Sequence, residues 1–239
     1  MSVYEESVRG NDFEEKIFSS EFIYDPVSVI ERFDLATVKY GENKVFEDRR
    51  FQKLREMWIS AVFLLGFYEM TEPKIDYWLK PCYGQWPDTY GVFFSPRKDI
   101  ENADTQNWVF IEITEYGDYS NNGLTNQILK KVVEKNYSGK YILVVYIKKL
   151  LTKIDLKSVF QKLKKQKLSC LYVFVVTSDL NTLGDHCVVC LYPKYTQENF
   201  YLRELMKKLK KEYDGVKVEK KRGHDISPLT YGPFLLPEL

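Results

Sequence analysis

This chain lacks an excess of either charge sign. Its 239 residues carry 35 Lys and Arg against 34 Asp and Glu, a net charge of +1. Composition therefore names no polyanionic or polycationic partner, and any such binding has to come from local clustering. It also has no apolar run near 18 residues and no basic-then-apolar opening, so neither a membrane span nor a signal peptide is expected and the expected location is cytoplasmic. Histidine is scarce, with only His186 and His224; both read as structural, and no Ser-His-Asp or Cys-His spacing points to nucleophilic catalysis. A glycine-rich phosphate loop is missing as well. Cysteine is sparse: Cys82, Cys170, Cys187 and Cys190. Cys187 and Cys190 have the spacing of a metal or redox pair, but strand residues three apart point to opposite faces. No second pair has zinc-site spacing, so all four read as structural thiols.

What is present favours a sizeable core: 44% of residues are hydrophobic and 15% aromatic, enough for one large domain. The expected division is an N-terminal extension over 1–46, an α/β domain over 47–226 and an extended proline-bearing tail over 227–239. In the extension, short helices over 12–18 and 26–33 and a turn at Tyr40-Gly41-Glu42-Asn43 are readable, with no sustained period. Phe51, Leu54, Trp58, Ala61, Val62, Leu65 and Tyr68 follow helical spacing, and no charge lies between Trp58 and Tyr68, which predicts a buried central helix. Strands are expected at 74–79, 90–94 and 107–115. A helix follows, capped by Thr125 or Asn126, running to about Lys135, with Leu124, Ile128, Leu129 and Val132 inward. The apolar run 141–147 predicts a strand covered on both faces. A helix over 155–165, strands over 171–177 and 186–192 and a last helix over 197–213 complete the pattern.

Two acids stand out. Glu112 sits mid-strand among Ile111, Ile113 and aromatic neighbours, where a carboxylate is costly unless paired, hydrogen-bonded or coordinated to metal. Asp88 follows the turn-like Gly84-Gln85-Trp86-Pro87 and leads into the preceding strand; its bland reading is a turn residue after proline. Pro87-Asp88 and Phe110-Ile111-Glu112-Ile113-Thr114, with the helix, three strands, helix and strand around them, resemble the PD-(D/E)XK nuclease superfamily over roughly 47–147.

That resemblance implies a restriction-endonuclease-like mixed β-sheet flanked by helices, here with additional C-terminal strands and a helix. It implies Mg²⁺ or Mn²⁺ held by Asp88, Glu112 and the Ile113 carbonyl, and a nucleic-acid partner, DNA ahead of RNA. The family's lysine two positions after the second acid is Thr114 here. Lys130 or Lys131 on the following helix is implied in its place, and Gln127 with Lys131 is similar to the glutamine-containing helix motif of exonuclease-like members. Glu56, on the helix before the first strand, corresponds to an acid that completes the metal shell; its bland reading is a solvated or paired helix residue. None of Glu14, Glu15, Glu21 and Asp25 is singled out as a further acid. The alternative implied by Thr114 is a nuclease-like fold without catalysis, binding nucleic acid or protein. Basic residues cluster at Lys162, Lys164, Lys165 and Lys167, and again from Lys207 to Arg222, where Glu204, Glu212 and Glu219 dilute them. Such runs usually form a solvated face, and contact with phosphates is the competing reading.

Overall fold

The computed structural model describes residues 18–20, 22–72, 77–84, 87–96, 104–117, 121–134, 141–147, 154–178 and 185–213. Among them the helices are α1 (Pro26–Tyr40), α2 (Glu42–Glu47), α3 (Gln52–Met70), α4 (Asn121–Glu134), α5 (Leu156–Leu163) and α6 (Leu202–Tyr213). The strands are β1 (Trp78–Pro81), β2 (Thr89–Pro96), β3 (Asp104–Tyr116), β4 (Tyr141–Ile147), β5 (Tyr172–Thr177), β6 (His186–Tyr192) and β7 (Thr196–Phe200), and they form one mixed sheet in chain order. β1, β2 and β3 form an antiparallel meander, β3, β4 and β5 run parallel, and β6 and β7 return antiparallel. Each parallel join needs a crossover that runs back along the sheet, supplied by α4 and α5.

Both faces are covered, which fits the expected α/β class. All seven residues of β4 are buried, as its unbroken apolar run requires. On one face α3 lies across the sheet with every residue from Lys53 to Phe67 buried. It packs closest where it has no side chain: a Cβ built on Gly66 would fall 2.3 Å from Val188 Cγ2 and 2.8 Å from Phe200 Cε1. Gly66→Ala is therefore expected to cost about 1–3 kcal/mol by overpacking, read as a lowered thermal midpoint. An unchanged midpoint would show that α3 is not seated against β6 and β7.

Alternation along β3 sorts its side chains. Val109, Ile111 and Ile113 join the α3-side core, whereas Phe110 and Tyr116 join the core under α4 and α5. Glu112 and Thr114 thus belong to the α4 side. The same alternation puts Cys187 in one core and Cys190 in the other, so the pair cannot converge on a metal. Burial pushes the Cys170 thiol up to about 12 and that of Cys190 up to about 11, consistent with inert structural thiols.

Several boundaries differ from those expected. α1 continues to Tyr40 and ends at Gly41, whose φ is 88°, so the expected turn reduces to a helix break at Gly41, with α2 starting at Glu42. The two helices pack on the domain, with Phe33 stacked on Trp58 at 4.6 Å. β1 starts at Trp78, later than read. α4 starts at Asn121, so Thr125 lies inside it and is buried rather than capping it. Residues 196–200 are a strand, not the opening of the last helix. α6 begins at Leu202, whose N–H is taken by Asp185 Oδ1 at 2.7 Å, an acceptor from outside its own sequence. The expected 12–18 helix, apart from Phe18, and the 227–239 tail lie outside the described residues, as do Glu14, Glu15, Glu21 and His224. Among the described residues no helix is long and apolar enough to cross a membrane.

Candidate functional site

The site begins where β2 and β3 part. Their ladder runs up to Thr89 opposite Ile111; one residue further, Asp88 turns out of it, and its Oδ2 accepts the Ile113 N–H at 2.7 Å. A side-chain carboxylate thus stands where β2 would have offered a backbone carbonyl. Asp88 lies just past the last pair of the ladder on one strand, as Glu112 does on the other, and its carboxylate is held at Ile113, the residue after Glu112. Because a strand residue offers its N–H and C=O to the same neighbour, the Ile113 carbonyl also lies on the Asp88 side. Glu112 itself is 2% exposed.

The first turns of α3 brace this fork from the other face. Lys53 Nζ donates to the Asp88 main-chain oxygen at 2.8 Å and to Glu56 Oε2, while Gln52 Nε2 donates to Glu56 Oε1 at 2.8 Å. Glu56 is buried; burial pushes its carboxyl above the ordinary glutamate value, the Lys53 ammonium opposes the rise, and the nearby Asp88 charge adds to it. One turn on, the Ser60 and Thr89 hydroxyls meet at 2.7 Å, pinning the first residue of β2. Arg55, also buried, donates to the Val45 and Asp48 carbonyls, each at 2.9 Å, and reaches Glu115 Oε1 at 3.2 Å. Sequence reasoning misses Lys53. The available signal is that it lies one and two turns before Met57 and Ser60, on a stripe that is buried throughout, and three residues before an acid.

On the opposite face α4 reaches the end of β3. Gln127 Nε2 donates to Thr114 Oγ1 at 2.9 Å and to the Glu115 carbonyl at 2.8 Å, so Thr114 is engaged by the helix. α4 runs back against β3. From Gln127 to Lys131 is about 6 Å along the helix. Lys131, half-buried, lies one turn beyond Gln127 on the same stripe of α4. Lys130 does not share that position: its side chain is 74% exposed and its Nζ lies 3.6 Å from Glu134 Oε1. Asp25 serves as the α1 cap, accepting from Ser28 N at 2.8 Å, and His186 Nδ1 lies 3.0 Å from Asp185 Oδ1.

Among the described residues no group of three or more His, Cys, Asp or Glu side chains forms a metal cluster. Both Glu56 oxygens are already engaged by Gln52 and Lys53. What remains as candidate donors near the fork are the carboxylates of Asp88 and Glu112 and the Ile113 carbonyl. That all-oxygen set fits Mg²⁺ or Mn²⁺, since Mg²⁺ keeps several waters and is bound through one or two carboxylates plus substrate phosphate. Comparison with known protein families, with curated proteins and with solved structures gives no match to this chain.

Proposed function

We propose that this chain is a metal-dependent nuclease of the PD-(D/E)XK kind, hydrolysing phosphodiester bonds in DNA ahead of RNA. The observation that carries the reading is the Asp88 carboxylate on the Ile113 N–H, which sets the first acid across a strand fork from the second. The surrounding order of helix, three-strand meander, helix and parallel strand supports it. A bound Mg²⁺ or Mn²⁺ would polarise the phosphoryl oxygen and acidify a water. Asp88, Glu112 and the Ile113 carbonyl would hold it. Lys53 and Glu56 position Asp88 from behind, Gln127 fixes the end of β3 through Thr114, and Lys131 offsets charge developing on the phosphoryl group.

The test is nicking of supercoiled DNA with Mn²⁺ present. The wild type and Lys130→Ala cleave, Glu112→Gln does not, and Lys131→Ala is slowed by about 10²-fold or more. No cleavage of DNA or RNA by the wild type, or full activity in Lys131→Ala, would contradict the proposal. A second reading, a nuclease-like fold that binds without cleaving, is favoured by Thr114 being occupied with Gln127 where the family has a cation. It predicts metal-independent binding and no nicking.

A further inference from the structure

The two lysine-rich helices look alike in sequence and differ in structure. On α6, Lys208 lies 3.8 Å from Glu69 Oε1 and Lys210 lies 2.6 Å from Glu31 Oε1, so that charge is partly neutralised within the protein. Between positions 155 and 167, on and just after α5, five lysines stand against one aspartate. Lys157, Lys162, Lys164, Lys165 and Lys167 are all exposed, and none makes an ion pair with a described residue. The burial of Val159 and Leu163 anchors α5 and turns this charge outward.

The position of this helix selects the partner. α5 packs beside α4, and Lys162 Nζ donates to Asn122 Oδ1 in the first turn of α4 at 2.6 Å. From there α4 leads through Gln127 to Thr114, on the sheet face to which Glu112 belongs. On the α3 side a cleft bordered by α1, α2 and α6 is lined by Asp34, Glu42, Glu47 and Asp185, with Arg203 already paired to Asp34. A polyanion is attracted to the α5 lysines and repelled from this acidic cleft.

We infer that the α5 lysines form a phosphate-backbone track that seats a nucleic-acid strand on the α4–α5 face and leads it toward Glu112. The choice of nucleic acid among polyanions rests on the phosphodiester reading of the acid site. Lysine contacts with phosphates release counterions, so affinity depends steeply on salt, with a slope near 0.9 per phosphate neutralised on duplex DNA.

The experiment is fluorescence anisotropy of a labelled DNA duplex against salt, using the full chain in EDTA so that cleavage plays no part. For Lys164→Ala/Lys165→Ala/Lys167→Ala, affinity at low salt is expected to fall at least about 10-fold and the slope of log affinity against log salt to decrease by about 2–3. Lys208→Ala/Lys210→Ala on α6 leaves both near wild type. An unchanged slope in the triple variant, an equal loss in the α6 variant, or binding to phosphatidylserine vesicles without DNA binding would overturn the inference. Failure of the nuclease reading shows separately, as absence of Mn²⁺-dependent nicking while this binding persists.

Discussion

Lys53→Met is expected to destabilise the protein by about 3–5 kcal/mol, the cost of leaving one partner of a buried ion pair without the other. Both side chains of the Lys53–Glu56 pair are only 10% exposed, so solvent screening does little to soften the loss. The Asp88 carbonyl loses its donor in the same substitution. Denaturant unfolding at pH 7 measures the loss, and pH gives it a sign. The folded-state carboxyl of Glu56 is raised above its ordinary 4.5, chiefly by burial. A raised carboxyl contributes stability that is fully present below its unfolded value and is lost as pH rises through its folded value. Removing Lys53 removes the influence that lowers it and raises it further. The gap between wild type and variant is therefore small near pH 4 and opens as pH rises toward neutrality. Lys53→Met/Glu56→Leu, which replaces the pair by apolar side chains, should recover most of the loss. A gap independent of pH, or no recovery in the double variant, would mean that the pair does not brace the fork.

On the proposed nuclease reading, Asp88→Asn and Glu112→Gln are expected to reduce DNA cleavage by roughly 10²- to 10³-fold or more with small effects on folding. The Asp88→Asn side chain keeps an oxygen that can accept the Ile113 N–H, so its stability cost is of the order of one neutral hydrogen bond, about 1 kcal/mol. The substitution removes negative charge and little else, which separates a metal ligand from a turn residue. Circular dichroism checks the fold and supercoil nicking checks activity. If Asp88 were only a turn residue, the Asp88→Asn variant would keep full activity; if it is a ligand, activity is lost.

Legibility followed locality. β4 is readable to the residue because a strand covered on both faces leaves seven unbroken apolar positions, and the central helix because its uncharged stretch fills more than two turns. β7 is misread because Thr196, Gln197, Glu198 and Asn199 are polar and continue into a helical pattern; their strand state comes from pairing with β6, from Cys190 opposite Thr196 to His186 opposite Phe200. Spacing alone cannot supply that long-range contact. Of the candidate site, Asp88 and Glu112 are picked out in the sequence as an acid after a turn and an acid inside an apolar strand. Lys53 is not, because a lysine near a helix start ordinarily reads as solvated, and only the approach of the Asp88 carbonyl from 35 residues away reveals its role. Lys130 and Lys131 are adjacent in sequence, and only the half-burial of Lys131 and the Lys130–Glu134 pair separate them.

The central claim is that Asp88 and Glu112 form a divalent-metal site at the fork of β2 and β3. Calorimetric titration of Mn²⁺ into the wild type and into Glu112→Ala tests it most directly. The account predicts saturable binding in the wild type that is lost in the variant; heats that match in the two proteins, or no binding in the wild type, would contradict it.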